Sequence, residues 1–149
     1  ACELRLTGSG GGYFENTWNP GTGPVGLLGR SSGPAWFYNT PFEHQTEAAC
    51  RLSNAHRYTF VTAQTEQSPV ALLVRDSSDI SVYGTVFAHW RSMQPHLVTL
   101  RNVARVALVG LNCHNSEWLV HAEPTEPRGF AFPGGQGWRH LTVLRIGAR

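Results

Sequence analysis

Apolar positions along the chain come in short runs rich in Val, Leu, Ile, Phe and Tyr, broken by clusters of Asn, Asp, Ser, Gly and Pro. Such a pattern predicts short strands between turns. Helical periodicity is nearly absent, and the best helix candidate is the segment from Glu43 to Leu52, which ends against Ser53-Asn54.

The runs repeat one another. Leu73 to Gly84 (LVRDSSDISVYG) aligns with Thr99 to Gly110 (TLRNVARVALVG), which sets Arg75 on Arg101, Asp76 on Asn102, Val82 on Leu108 and Gly84 on Gly110, an offset of 26 residues. Moving back by 22, Leu52 to Thr62 lies on Val74 to Gly84, with Tyr58 and Phe60 on Ile80 and Val82. The unit is a strand, a polar Asn/Asp/Ser corner and a second strand with alternating apolar positions. A period in the low-to-middle twenties with this content predicts a parallel β-helix, in which each coil buries its apolar face on its neighbours about 4.8 Å away. A leucine-rich repeat would need an LxxLxL pattern, and a β-sandwich would show Asn-Gly or Asp-Gly hairpins; none of these occurs.

The expected fold is therefore all-β, a solenoid of about five or six coils. The coils centre on Val25 to Leu28, Ala35 to Tyr38, Tyr58 to Thr62, Ile80 to Val86, Val106 to Leu111 and Leu141 to Ile146. Gly8 to Gly12 and the Pro/Gly-rich Pro124 to Gly137 read as long loops within one domain spanning residues 1–149. An open stack exposes β-edges at both ends, so the chain is expected to be a fragment, or to pack through its open coils against another chain or a copy of itself.

Composition narrows the function classes. All twelve basic residues are arginine, and they are spread thinly from Arg5 to Arg149; the formal net charge is +2. That distribution offers no footprint for nucleic acid. Charged residues make up 15% of the chain, well under the usual quarter, while Gly (16), Pro (9) and Trp (5) are plentiful, which favours a turn-rich domain of secreted or extracellular type. No apolar run is long enough to span a membrane. The start, Ala-Cys-Glu-Leu-Arg, lacks the apolar stretch of a signal peptide and reads as a mature, processed or partial chain. Cys2, Cys50 and Cys113 lack CxxC spacing, so no zinc site of the usual kind is expected; one disulfide with a free thiol and three reduced thiols both remain open. The seven histidines show no HxH or HExxH spacing, although Cys113, His114 and His121 lie near one another in sequence. No metal and no cofactor is predicted.

Three segments carry candidate chemistry: Gly12 to Trp18 (GYFENTW), Ser32 to His44 (SGPAWFYNTPFEH), and Leu52 to His56 (LSNAH) leading to Gln64-Thr65-Glu66. Over about residues 10–90, their order and spacing resemble glycoside hydrolase family 55, the β-1,3-glucanases. The resemblance implies a right-handed parallel β-helix, one of two that stand side by side with the catalytic cleft between them, and hydrolysis with inversion. It also implies that Glu66, in the Q-T-E triplet, is the general acid and that Glu43, in the E-H pair, belongs to the site. Two departures stand out. Gln45 to Arg51 lacks the tyrosines of the family's strand at this point, and Gln67-Ser68-Pro69 lacks the tyrosine of the family's turn.

The residues point the same way. Glu43 and Glu66 are 23 apart, about one coil, so they should stand on neighbouring coils at similar lateral positions. Two carboxylates stacked that closely cannot both ionise cheaply, and a protonated carboxyl is what cleavage of a glycosidic bond requires. An inverting pair needs its carboxyls roughly 6.5–9.5 Å apart, so the two need not be acid and base to one another. Gln64 and His44 are candidate substrate or positioning groups. Trp18, Trp36, Tyr38 and Phe42 are either sugar-stacking platforms or core. Two functions of different class follow: an enzyme acting on β-1,3-glucan, or a non-catalytic structural or carbohydrate-binding β-helix that packs against another chain.

Overall fold

The computed structural model describes residues 2–88, 94–123 and 130–147. It is all-β, with no helix among those residues, and its parallel sheet winds into a solenoid of about five turns. Turn one holds β1 (Cys2–Gly8), β2 (Gly12–Glu15) and β3 (Asn19–Pro20), and turn two holds β4 (Val25–Ser31), β5 (Ala35–Tyr38) and β6 (Pro41–Glu43). Turn three holds β7 (Ala48–Ser53), β8 (His56–Val61) and β9 (Gln64–Glu66). In turn four, β10 (Val70–Tyr83) bends continuously through two faces before β11 (Val86–Ala88), and in turn five β12 (Gln94–Glu123) covers all three. The first face stacks β1-β4-β7-β10-β12, the second β2-β5-β8-β10-β12, and the third β3-β6-β9-β11-β12.

The register matches the repeat read from the sequence. Arg75 lies opposite Arg101 and Val82 opposite Leu108, while Leu52 faces Val74, and Tyr58 and Phe60 face Ile80 and Val82. Successive turns are offset by 23 residues (Cys2 to Val25), 23 (Val25 to Ala48), 22 (Ala48 to Val70) and 26 (Leu72 to Val98).

Identical positions in successive turns build the core. Phe14, Phe37 and Phe60 form one ladder, with ring centroids 4.8 and 4.9 Å apart and planes within 8° and 11°, and Val82 and Leu108 continue it. The spacing is that of neighbouring strands, so the backbone repeat itself sets the offset stacking. The fully buried Tyr58 shares a 2.6 Å hydrogen bond with Ser31 through its hydroxyl, which satisfies both groups inside the stack.

Five expectations are corrected. Glu43 to Leu52 is not a helix: residues 44–47 turn a corner and β7 begins at Ala48. Val25 to Leu28 and Ala35 to Tyr38 are two faces of the same turn, joined by the corner at Ser32 to Pro34, and not separate coils. Leu141 to Ile146 is not a sixth coil, since it lies in β13 (Phe130–Ile146), which returns antiparallel along β12 from Val106 to Ala122. That pairing occupies the edge of β12, whereas β1 lies at the opposite edge of the sheet. Of the segment Pro124 to Gly137, residues 124–129 lie outside the described residues, and residues 130–137 are strand rather than loop.

Gly8 to Gly12 is likewise not a long loop but a tight corner between β1 and β2. A Cβ on Gly11 would collide with the carbonyl of Pro34 in the next turn, so only glycine lets the two corners stack.

Candidate functional site

The third face positions the candidate carboxylates. Its strands β6 and β9 are three residues long, with the central Phe42 and Thr65 buried. Alternation then turns their flanking residues outward, and the register sets Pro41 against Gln64 and Glu43 against Glu66. Both glutamates are half-buried. The same ladder runs on from Glu66 to Ala88, His114 and Trp138, where the His114 and Trp138 rings meet edge-on at 5.0 Å.

Neutral donors hold the two carboxylates. The Gln64 amide donates to Glu66 Oε1 at 2.7 Å, and the Trp18 indole N–H donates to Glu43 Oε2 at 3.0 Å. Trp18 lies on the corner between β2 and β3, and its ring stays 65% exposed beside Glu43. His44 follows Glu43 in the left-handed region (φ 67°), with its N–H donating to the Glu66 carbonyl at 2.8 Å. One ligand-type atom from each of Glu43, His44 and Glu66 lies within 4.8 Å of the other two. Among the described residues these three could hold a divalent cation, two carboxylate oxygens and one imidazole nitrogen suiting a borderline metal. All three residues stand out in the sequence, but not as one ligand set, because the third donor comes from the next turn. The one-coil offset of 43 and 66 was the available signal.

The predicted residues fall into two groups. Trp18, Glu43, His44, Gln64 and Glu66 come together on the third face. Trp36 and Tyr38 point outward from β5 on the second face, beyond the corner at Asn39-Thr40. There Tyr38 meets Tyr13 at 5.2 Å between ring centroids, and Tyr13 and Trp36 are exposed. Tyr13 was not singled out in the sequence, although its place in the YFEN segment, one coil before Trp36, marks it in retrospect. Phe42 is core, fully buried against Phe37.

Cys113 and His114 diverge. Cys113 is buried in the core with its thiol pushed up to about 12 by desolvation, while His114 meets Trp138. His121 stacks on His96 at 4.5 Å. Cys2, Cys50 and Cys113 are all free thiols, and burial also pushes Cys50 upward, so both core cysteines act as small apolar residues. His89, another of the seven histidines, lies outside the described residues.

Chemically, the third face offers a pair of oriented carboxylates, a neighbouring imidazole and a flat indole on one open ladder. The pair is too close for a water to sit between acid and base in an inverting hydrolysis, which needs about 6.5–9.5 Å. No protein-family model matches the chain, and no curated protein matches it.

Proposed function

We propose that the chain is a secreted, glycoside hydrolase-like β-helix acting on β-1,3-glucan with inversion, and that Glu66 donates the proton to the glycosidic oxygen as that C–O bond breaks and a water, giving its own proton to solvent, adds to the anomeric carbon from the opposite face. The observation that carries this reading is the Glu43–Glu66 pair on adjacent turns, with Glu66 fixed by Gln64 and Glu43 fixed by the exposed Trp18. Gln64 engages one oxygen of Glu66 and leaves the other for the leaving-group oxygen, and the Trp18 ring offers a stacking platform for a sugar. Glu43 stands too near Glu66 to serve as the base across a water. Its role in this reading is to hold Trp18 and to order the site.

A second reading is a non-catalytic carbohydrate-binding β-helix that packs against another chain. The observation favouring it is the set of outward aromatics, Tyr13, Trp36 and Tyr38, which lies on a different face from the carboxylates and so widens the surface available to a polysaccharide.

Reducing-sugar release from laminarin separates the two. The first reading expects release that falls by about 10²–10⁴-fold in Glu66→Gln, the usual size of a general-acid contribution. Release that survives this substitution removes Glu66 from the proton-donor role. No release from either protein, with retardation in laminarin-containing gels that Trp18→Ala weakens, supports the second reading.

A further inference from the structure

On the first face, and not the third face that carries the carboxylate pair, three arginines surround one open cavity of about 560 Å³. The register explains how they meet. Arg5 lies opposite Leu28, and Leu28 lies opposite Arg51, so these two arginines occupy one ladder two turns apart with Leu28 between them. Arg30, two residues beyond Leu28 on the middle turn, completes a triangle. Leu28 and Val25 give the cavity an apolar floor.

The charges there are poorly balanced. Glu47 is the one acid lining the cavity, and it accepts from Arg51 Nη2 at 2.8 Å, so three guanidinium groups meet a single carboxylate. Arg5 and Arg30 have no hydrogen-bonding or ion-pairing partner among the described residues. The Nε of Arg51 is buried without any partner. Surface cations without counter-charges are ordinary one at a time. Three that converge over an apolar floor repel one another, and a bound anion would relieve that repulsion. Guanidinium groups recognise planar oxyanions through paired, charge-assisted hydrogen bonds, and the volume falls within the range of small-molecule sites.

We propose that this cavity binds a small polycarboxylate, its carboxylates shared among Arg5, Arg30 and Arg51 and its carbon skeleton resting on Leu28 and Val25. The inference is independent of the hydrolytic reading, because none of these residues touches the Glu43–Glu66 pair. Two turns separate Arg5 from Arg51, about 9.6 Å of backbone at strand spacing, so one ligand must carry more than one carboxylate to reach both.

Isothermal titration at low ionic strength with citrate, and separately with inorganic sulfate, tests it. The expected result is citrate binding with a dissociation constant below about 1 mM, tighter than sulfate, and weakened about tenfold in Arg30→Gln and in Arg51→Gln. Arg139→Gln, an exposed arginine on β13, should leave it unchanged. Arg30 is exposed, so its variant tests the site even where Arg51→Gln fails to fold. Citrate no tighter than sulfate, equal affinity in Arg30→Gln and the unaltered chain, or equal loss in Arg139→Gln would each overturn the proposal.

Discussion

Asp79 shows what a single corner residue contributes. It sits in the left-handed region (φ 59°) and accepts from both Nε and Nη2 of Arg105 in the following turn, at 2.5 and 2.7 Å. The Arg105 hydrogen bond holds its carboxyl down at about 2, against 3.8 unperturbed. Because the folded value lies below the unfolded one, the stabilisation is complete above about pH 4 and disappears as the pH falls towards 2. The pair is more than a third exposed, so solvent screening limits it to about 0–1 kcal/mol. Urea unfolding of the native chain and Asp79→Asn should differ by that amount at pH 6 and converge near pH 2; a gap that persists at low pH would place the effect elsewhere. At this scale the sequence is only partly informative. The 23-residue interval placed Glu43 against Glu66, since register follows from the repeat. The contacts Trp18–Glu43 and Gln64–Glu66 were not legible, because they depend on how a corner folds back and on the choice of rotamer.

Among the elements, the corners keep the turns in register. Asn16, Asn39 and Thr62 occupy the same corner in three successive turns, all with positive φ, and Gly84 and Gly110 continue the column. The N–H of each of the first four donates to the strand end of the next turn, as from Asn39 to Val61 at 3.0 Å, and the Asn39 amide donates to Asn16 Oδ1 at 2.7 Å. Asparagine tolerates this conformation and its amide pairs with its neighbour; alanine does neither. Asn39→Ala should cost about 1–3 kcal/mol in thermal or urea unfolding, and Asn39→Gly noticeably less, since glycine keeps the backbone and loses only the side-chain bond. Equal losses would assign the effect to the amide pair alone. The polar corner and the strand alternation were readable because both recur. Where the sequence misled, a different physical cause was at work in each case. Two apolar runs ten residues apart look like separate elements until a corner as tight as Ser32 to Pro34 is allowed to join them. Residues 43–52 carry the helix-favouring Glu, Gln, Ala, Arg and Leu, yet stacking of Ala48 to Ser53 on β4 overrides that local preference. Strand β13 pairs antiparallel and outside the repeat, so self-similarity carries no signal for it.

For the molecule as a whole, the solenoid turns a linear repeat into a set of parallel ladders, and each ladder becomes a possible function. Phenylalanines fill an inner ladder, while one outer ladder carries Glu43 and Glu66 and another spaces Arg5 and Arg51 around Leu28. A site on such a scaffold rests on rigid backbone spacing, which orients a proton donor at little further entropic cost. In the proposed reading, Glu66 protonates the leaving oxygen of a β-1,3-glucosidic bond with inversion at the anomeric carbon. The direct measurement is proton NMR of the first products released from laminarin, recorded before mutarotation. Inverting hydrolysis with Glu66 as proton donor gives α-anomeric ends from the native chain and none from Glu66→Gln. β-Anomeric ends, or an unchanged signal from Glu66→Gln, would contradict it.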